Sequence, residues 1–408
     1  MSRPDKQWTY EFNTEASWCE VSTTYGSRLA CLGLPDFSGL NQTKIDAERA
    51  IQYANDGTMP IRGHKSDSEF SFDYWPAGHG STTAGAVTRE EHELMTGYFL
   101  GSSATGGSGG TATGGTANIP TTSGESLIVG QIGWCGVKGD GRGDGQAFVV
   151  GTDGAGSLTL LTNLPGAPTN GDVIYGGAHA YVNEAAASVA ITSLRGRALT
   201  NNQNYAMRGQ YPKSWSLAGT NPGEIPRVTA TLGVSDWDPT ATTLPSATAI
   251  DEFNAASCAG GSLFINNVGT ATRAVYDARD FAINVALNTI ALPGPGGNSA
   301  LQRDVGAVRG PTMITVSFTL DAQTASATPT WEGLWDSDSQ YYHLLWNANG
   351  AATGKRLAVY FPRLCIVDKK PVQFSRNGVN SIRVTMQAYT GATTTSELTL
   401  SAMRIAFG

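Results

Sequence analysis

Residues 211–232 read YPKSWSLAGTNPGEIPRVTATL, and a second version of the same phrase, FPRLCIVDKKPVQFSRNGVNSIRVTMQA, occupies residues 361–388. Each opens on an aromatic–proline pair, Tyr211 with Pro212 or Phe361 with Pro362, followed by a base, Lys213 or Arg363. An apolar-rich run comes next, then a turn region rich in Gly, Asn and Pro, then a return strand containing Arg227 or Arg383. In that strand Val228, Ala230 and Leu232 alternate with Arg227, Thr229 and Thr231, as Val384, Met386 and Ala388 do with Arg383, Thr385 and Gln387. A period of two belongs to a half-buried β-strand, so each copy predicts a hairpin with one core face and one polar face.

An upstream element repeats in the same order. Arg62 and Gly63 lead into SEFSFDY, and Arg309 and Gly310 lead into MITVSFTL. Phe70, Phe72 and Tyr74 share a face of the first strand; Ile314, Val316, Phe318 and Leu320 share a face of the second. The first copy carries about 98 extra residues between this strand and its hairpin. Internal duplication outranks any single motif as a guide to architecture. The chain therefore reads as mainly β, with two tandem β-sandwich or tube-barrel modules. Each has a flanking short helix, and the first has a β-rich insertion. The boundaries are 1–237 for the first module, 238–257 for a linker and 258–408 for the second.

A length of 408 residues suffices for two or three domains. Its 50 glycines and a charged fraction of only 15% fit a turn-rich β composition. The net charge of −7 argues against a protein that grips nucleic acid by its phosphates. It suits a surface past which DNA slides. Cys19, Cys31, Cys135, Cys258 and Cys365 are scattered and odd in number, which indicates neither a zinc site nor a disulfide framework. With no signal-peptide pattern and no membrane-length apolar run, synthesis in a reducing cytoplasm is expected.

Residues 43–55 carry a helical stripe of Ala47, Ile51 and Ala54. Thr88 and Glu91 form a capping-box pattern ahead of Leu94, Met95, Tyr98 and Phe99, which predicts a helix over 88–100. Residues 101–124 are nearly all Gly, Thr, Ser and Ala, and predict a flexible loop without a role in folding. The runs SLIVG, QAFVVG, SLTLL and DVIYG, separated by turns, predict a small β subdomain over 125–198. A short helix is expected over 339–346, SQYYHLLW, at the place of the first module's capped helix.

Motifs that carry chemistry fail on their context. Gly106, Ser108 and Gly110 spell a nucleophile elbow but lack its strand and helix. His92 and Glu93 begin a zinc-protease motif whose second ligand position is Thr96. GAATGKR at 350–356 is one residue short of a P-loop. Asp140 and Asp144, in DGRGDG, leave a bound cation open, although the run lacks the other ligands of a calcium loop. The histidines share no ligand spacing. No catalytic, cofactor or metal residue is assigned, and the chain reads as a non-enzyme.

The repeated elements, residues 62–74, 88–100, 207–236, 309–320 and 359–390, cover about a third of the chain. They resemble the major tail tube proteins of long-tailed bacteriophages, above all in MRGQYPKSWSL followed by GEIPRVT. The resemblance implies a β-sandwich-like tube domain with a flanking helix, rings formed by edge-to-edge sheet pairing, and rings stacked into a conduit for DNA. It implies as partners other copies of the chain, other tail proteins, and duplex DNA that passes without specific binding; no membrane is involved. It also implies assembly in the host cytoplasm and residence in the virion tail. Six-fold rings with one domain per chain are common in that family, so two modules per chain give a trimeric ring. The candidate assembly positions are the duplicated residues Arg62, Tyr211, Pro212, Arg227, Arg309, Phe361, Pro362 and Arg383. The net charge leads to an expected electronegative channel wall. Two other readings stay open. One is a tail-tip or fibre protein that stacks a host-surface glycan on Trp75, Trp331, Trp335 or Trp346. The other is a β-rich hydrolase.

Overall fold

The computed structural model describes residues 8–20, 25–40, 44–47, 59–62, 68–76, 90–104, 106–136, 146–154, 156–182, 191–200, 203–219, 224–240, 262–271, 275–276, 278–293, 304–321, 340–348, 356–373, 380–391 and 397–408. Within them the chain is mainly β, in large antiparallel sheets with one small closed barrel and two helices. No helix among the described residues is long and apolar enough to cross a membrane.

Alternation along the strands decides which face is buried. In β5 (Ser68–Tyr74), Phe70, Phe72 and Tyr74 are buried, while Ser71 and Asp73 are only half-buried. β5 pairs with β16 (Arg227–Thr240), whose Val228, Ala230, Leu232 and Val234 enter the same core. β16 pairs in turn with β15 (Gln203–Ala218). The first half of β15 also pairs with β14 (Leu194–Thr200), which continues to β1 (Thr9–Thr14) and β2 (Ser27–Ala30). The run is therefore β2-β1-β14-β15-β16-β5.

A second run has the same succession. β20 (Asp304–Asp321) pairs with β23 (Asn380–Ala388), and β23 pairs with β22 (Leu357–Gln373). The first half of β22 pairs with β21 (Tyr342–Ala348), which continues to β17 (Ser262–Asn267) and β18 (Val275–Tyr276). The order β18-β17-β21-β22-β23-β20 matches the first run strand for strand, in chain order and in antiparallel sense. The registers match as well. Tyr74 faces Val228 and Phe72 faces Ala230, as Phe318 faces Val384 and Val316 faces Met386.

β19 (Ala278–Pro293) joins the two runs, because it pairs with β20 on one edge and with the second half of β15 on the other. The result is a seven-stranded sheet, β5-β16-β15-β19-β20-β23-β22. One core cluster extends through both runs, from Tyr10, Phe70 and Phe72 to Val316, Phe318 and Val384. Aromatic pairs fill its first part, with ring centroids 4.6 Å apart for Tyr10 and Phe72 and 4.4 Å for Phe37 and Tyr205. Each run also sends out a two-stranded ribbon. β3 (Lys44–Ala47) and β4 (Met59–Arg62) form one, and the ends of β19 and β20 beyond Thr289 and Arg309 form the other.

Several expectations are corrected here. The helix over 43–55 is replaced by β3 over its described part, and residues 48–55 lie outside the described residues. The helix over 339–346 is β21, a strand buried along its whole length. It takes the place of β14 in the second run, not of a helix. Residues 238–240, assigned to a linker, are the end of β16, and residues 241–257 lie outside the described set. The predicted helix is present as α1 (Glu90–Leu100), with Thr88 outside the described residues. Met95, Phe99 and Leu100 are buried in the core, whereas Leu94 points outward, 43% exposed.

The largest correction concerns residues 101–124. They form β6 (Gly101–Ala104), β7 (Gly110–Gly115) and β8 (Pro120–Ser123). Strands β7 and β8 close a six-stranded barrel with β9 (Ile132–Gly136), β10 (Gln146–Gly154), β11 (Ser157–Leu160) and β12 (Val173–Gly176). Its interior holds Ala112, Leu127, Phe148, Val150, Leu158, Leu160 and Ile174. SLIVG, read as a strand, is a connecting turn that packs Leu127 into that interior. β6 leaves the barrel and pairs with β13 (Ala178–Val182) in the main sheet.

Candidate functional site

The feature that distinguishes this fold is the seam between its two runs. Ser214, Trp215, Ser216 and Leu217 of β15 face Ala286, Val285, Asn284 and Ile283 of β19. Trp215, Leu217, Ile283 and Val285 are buried in the common core, so the seam combines a backbone ladder with apolar cross-strand pairs. The opposite face carries Ser214, Ser216 and Asn284. A register shift lies between Pro212 and Ser214, and the Pro212 carbonyl accepts a hydrogen bond from the Thr289 hydroxyl of β19 at 2.7 Å. Pro212, lacking an amide donor, suits such an irregular position.

The polar face of the sheet is built from small hydroxyls and paired charges. Ser71 and Thr231 lie 2.9 Å apart, and the Thr229 hydroxyl donates to Asp73. Asp73 also pairs with Arg227 at 2.6 Å, Glu69 with Lys213 at 2.6 Å, and Asp368 with Lys370 at 2.9 Å.

The predicted assembly positions do not gather at one place. Tyr211 is buried against Gly233, where a Cβ would lie 2.2 Å from its ring, and stacks on Trp18. Phe361 is buried opposite Leu344, and Pro362 follows it where β22 carries one residue more than β21. The two aromatic–proline pairs are not register equivalents: Pro212 faces Leu232, whereas Leu364 faces the matching residue Ala388. Arg383 is exposed on the polar face, next to Thr319. Arg62 ends the first ribbon opposite Lys44, and Arg309 begins the second opposite Thr289. Sequence reasoning missed β19 entirely. Its alternation of Phe281, Ile283, Val285 and Leu287 is as regular as that of the strands it did find.

Arg309 has a structural role that its sequence position does not reveal. It is buried, and its Nη2 donates to the carbonyls of Phe99 and Leu100 at 2.9 Å each. These are the last carbonyls of α1, which have no partner within the helix and lie at its negative dipole end. Gly101, at φ 104°, turns the chain out of the helix there. Arg309→Ala is expected to cost about 2 kcal/mol by leaving both carbonyls unsatisfied. Arg309→Lys should restore only part of this. Urea denaturation midpoints of the three proteins check both statements.

The barrel, although inserted in the first run, docks on the second. Ile132, Trp134, Ala147 and Val149 pack against Phe264, Leu345, Ala358, Tyr360 and Ala406. Ala406 belongs to β24 (Arg404–Phe407), which pairs with both β13 and β22. Trp134 donates its indole N–H to Asn347 at 3.2 Å. Arg404 donates to the Gly130 and Thr399 carbonyls; burial pulls its pKa down to about 10, which leaves it charged at neutral pH. Thr399 lies in α2 (Glu397–Leu400).

His343 sits beside this junction, edge-on to Phe264, with Nε2 3.0 Å from the Thr270 carbonyl. Burial pulls its pKa from 6.5 to about 4, against the opposing hydrogen bond to Thr270. The folded value lies below the unfolded one, so the stabilisation is present above about pH 6.5 and is lost as pH falls toward 4. The loss approaches about 3 kcal/mol. Thermal unfolding from pH 7 to 4 should fall less steeply in His343→Phe than in the wild type.

Four cysteines among the described residues, Cys19, Cys31, Cys135 and Cys365, are free thiols. No group of acidic, His or Cys residues suited to a metal occurs among the described residues, and Asp140 and Asp144 lie outside them. Neither a protein-family model nor a curated protein sequence matches this chain.

Proposed function

We propose that the chain is a structural protein of a phage tail tube, with two tube-type modules over 1–237 and 258–408 that assemble into rings stacked as a DNA conduit. One observation carries this reading: two identical strand successions meet edge to edge along β15 and β19. A protein that builds rings from repeated sheets needs such a contact at every module boundary, and closure removes the exposed edges that would otherwise aggregate. Two modules per chain make the ring a trimer with pseudo-six-fold character. The polar face of the seven-stranded sheet lines the lumen in this reading. Its hydroxyls and its acid–base pairs at Glu69, Asp73 and Asp368 support a wall along which duplex DNA moves without binding. This replaces a uniformly electronegative wall with a locally paired one. The chain needs no catalytic site, cofactor or membrane for this role, and its other partners are further tail proteins in the virion.

The glycan-binding reading loses one of its proposed surfaces, since Trp346 is 4% exposed and stacks on Phe281 inside the core. Trp75 is exposed, and Trp331 and Trp335 lie outside the described residues. Negative-stain electron microscopy of the purified protein separates the readings. Rings or tubes are the expected result, and isolated particles at every concentration would contradict it.

A further inference from the structure

The barrel leaves and rejoins the main sheet through two strands that lie side by side. β6 and β13 pair so that Ala104 faces His179. The chain enters the barrel at Gly106 and returns at Gly177, so close together that a Cβ on Gly106 would lie 2.0 Å from the Gly177 carbonyl oxygen. The barrel interior and its docking surface are separate clusters, the first around Phe148 and Leu158, the second around Trp134 and Tyr360. The barrel can therefore part from the sheet as a unit, with its own core closed.

The docking surface carries bases and no matching acids. Arg404 and Arg356 are 2% and 3% exposed. Arg404 donates to the Gly130 carbonyl of the barrel and lies beside the Tyr360 ring, while Arg356 sits 3.7 Å over the Tyr175 ring of the barrel. Two buried histidines complete the set. His179 of β13 pairs with Ala406 and shares its face, and its Nε2 accepts the amide N–H of Ile132 in β9 at 2.9 Å. His343 of β21 lies edge-on to both Phe264 and Tyr360. The other titratable groups that the paired strands turn to this junction are the phenols of Tyr175, Tyr181 and Tyr360. None of the residues that β13, β24, β22, β21 and β9 direct there is Asp or Glu. In the turn before β9, Glu125 is engaged by the Thr122 hydroxyl and the Leu127 amide.

We propose that this junction is an acid-triggered release: protonation of His179 and His343 undocks the barrel from the second run while both cores stay folded. This does not depend on the ring assembly proposed above. An imidazole that accepts at Nε2 carries its proton on Nδ1. A second proton removes the lone pair that Ile132 uses and sets two N–H groups against each other. It also adds a positive charge beside two buried guanidiniums, with no carboxylate to offset it. His343 adds another, and burial already pulls its pKa down to about 4. Opening returns both rings to water, where an imidazole takes up a proton below about pH 6.5. Each ring that is neutral when docked and charged when released raises the opening constant about tenfold per pH unit below that value. Together the two raise it about a hundredfold.

A thiol placed at the junction reads the opening. Ala358→Cys on the sheet and Ala147→Cys on the barrel are small changes at buried positions on opposite sides of it. The full-length protein is labelled between pH 7.5 and 5 with a pyridyl disulfide, which reacts with thiols in acid, and each rate is divided by that of an exposed thiol. Both reporters should gain about a hundredfold per pH unit below about pH 6.5. The gain should fall to about tenfold in a His179→Gln or a His343→Phe background, and should vanish in the double variant. Gln at 179 keeps an acceptor for Ile132 and does not titrate. Native Cys135 in the barrel interior and Cys31 in the main core should stay unlabelled throughout. Reporters that remain closed at pH 5, that open together with Cys135 and Cys31, or that respond equally in the double variant would overturn the proposal.

Discussion

Gly109→Val is expected to open the six-stranded barrel. A Cβ at Gly109 would lie 2.0 Å from the Ile174 carbonyl oxygen, and one at Gly107 would lie 1.7 Å from that of Ser126. Both obstacles are backbone, which cannot swing aside as a long side chain does. The cost should reach or exceed the ~3 kcal/mol typical of severe overpacking. Because Trp134 links the barrel to Asn347 on the main sheet, the opening should appear as a red-shifted tryptophan emission and faster proteolysis. Gly166→Ala is the matched control: nothing lies within 4 Å of its Cβ position, and no effect is expected. By the same argument, replacing residues 106–124 with a few glycines should destroy the barrel, since it removes β7 and β8.

Removing residues 404–408 is expected to have the largest effect of all. All five residues are buried, and β24 pairs with β22 on one side and β13 on the other. Its loss exposes the apolar surfaces that Ile405 and Phe407 cover and breaks two ladders at once. Arg404 also leaves, and with it the hydrogen bonds to Gly130 and Thr399. Burial of side chains such as Ile405 and Phe407 contributes about 1.5–3 kcal/mol each. The total is comparable with the ~5–15 kcal/mol net stability of a typical protein. The truncated chain should lack a cooperative thermal transition in calorimetry. Ile405→Val, which removes one methylene, should cost only about 0.5–1.5 kcal/mol and retain it.

These strands of the two runs were legible because apolar and polar residues alternate strictly in SEFSFDY, RVTATL and IRVTMQA. That pattern survives folding because each strand buries one face only. QAFVVG, SLTLL and DVIYG were legible as β10, β11 and β12, but β7 and β8 were not, because the glycines of residues 101–124 were read as freedom, whereas at Gly107 and Gly109 they permit close backbone approach. YHLLWNA failed for a different reason. Covered on both faces, β21 has no alternation to distinguish it from a buried helix. The ribbon arginines show how far pattern alone reaches. Arg62 and Arg309 each belong to a ribbon, but only the fold shows Arg309 capping α1 across the seam. The partner of β15 was missed because pairing between distant strands leaves no local signature: Trp215 and Val285 meet through the register of the whole sheet.

The central claim is that one chain supplies two adjacent positions of a ring. Averaged cryo-electron images of the assembled tube test it most directly. The account predicts three chains per ring, six similar sheet units around the lumen, and three copies of the small barrel, one on every second unit. Six whole chains per ring, each contributing one unit to the lumen wall and carrying its own barrel, would contradict it.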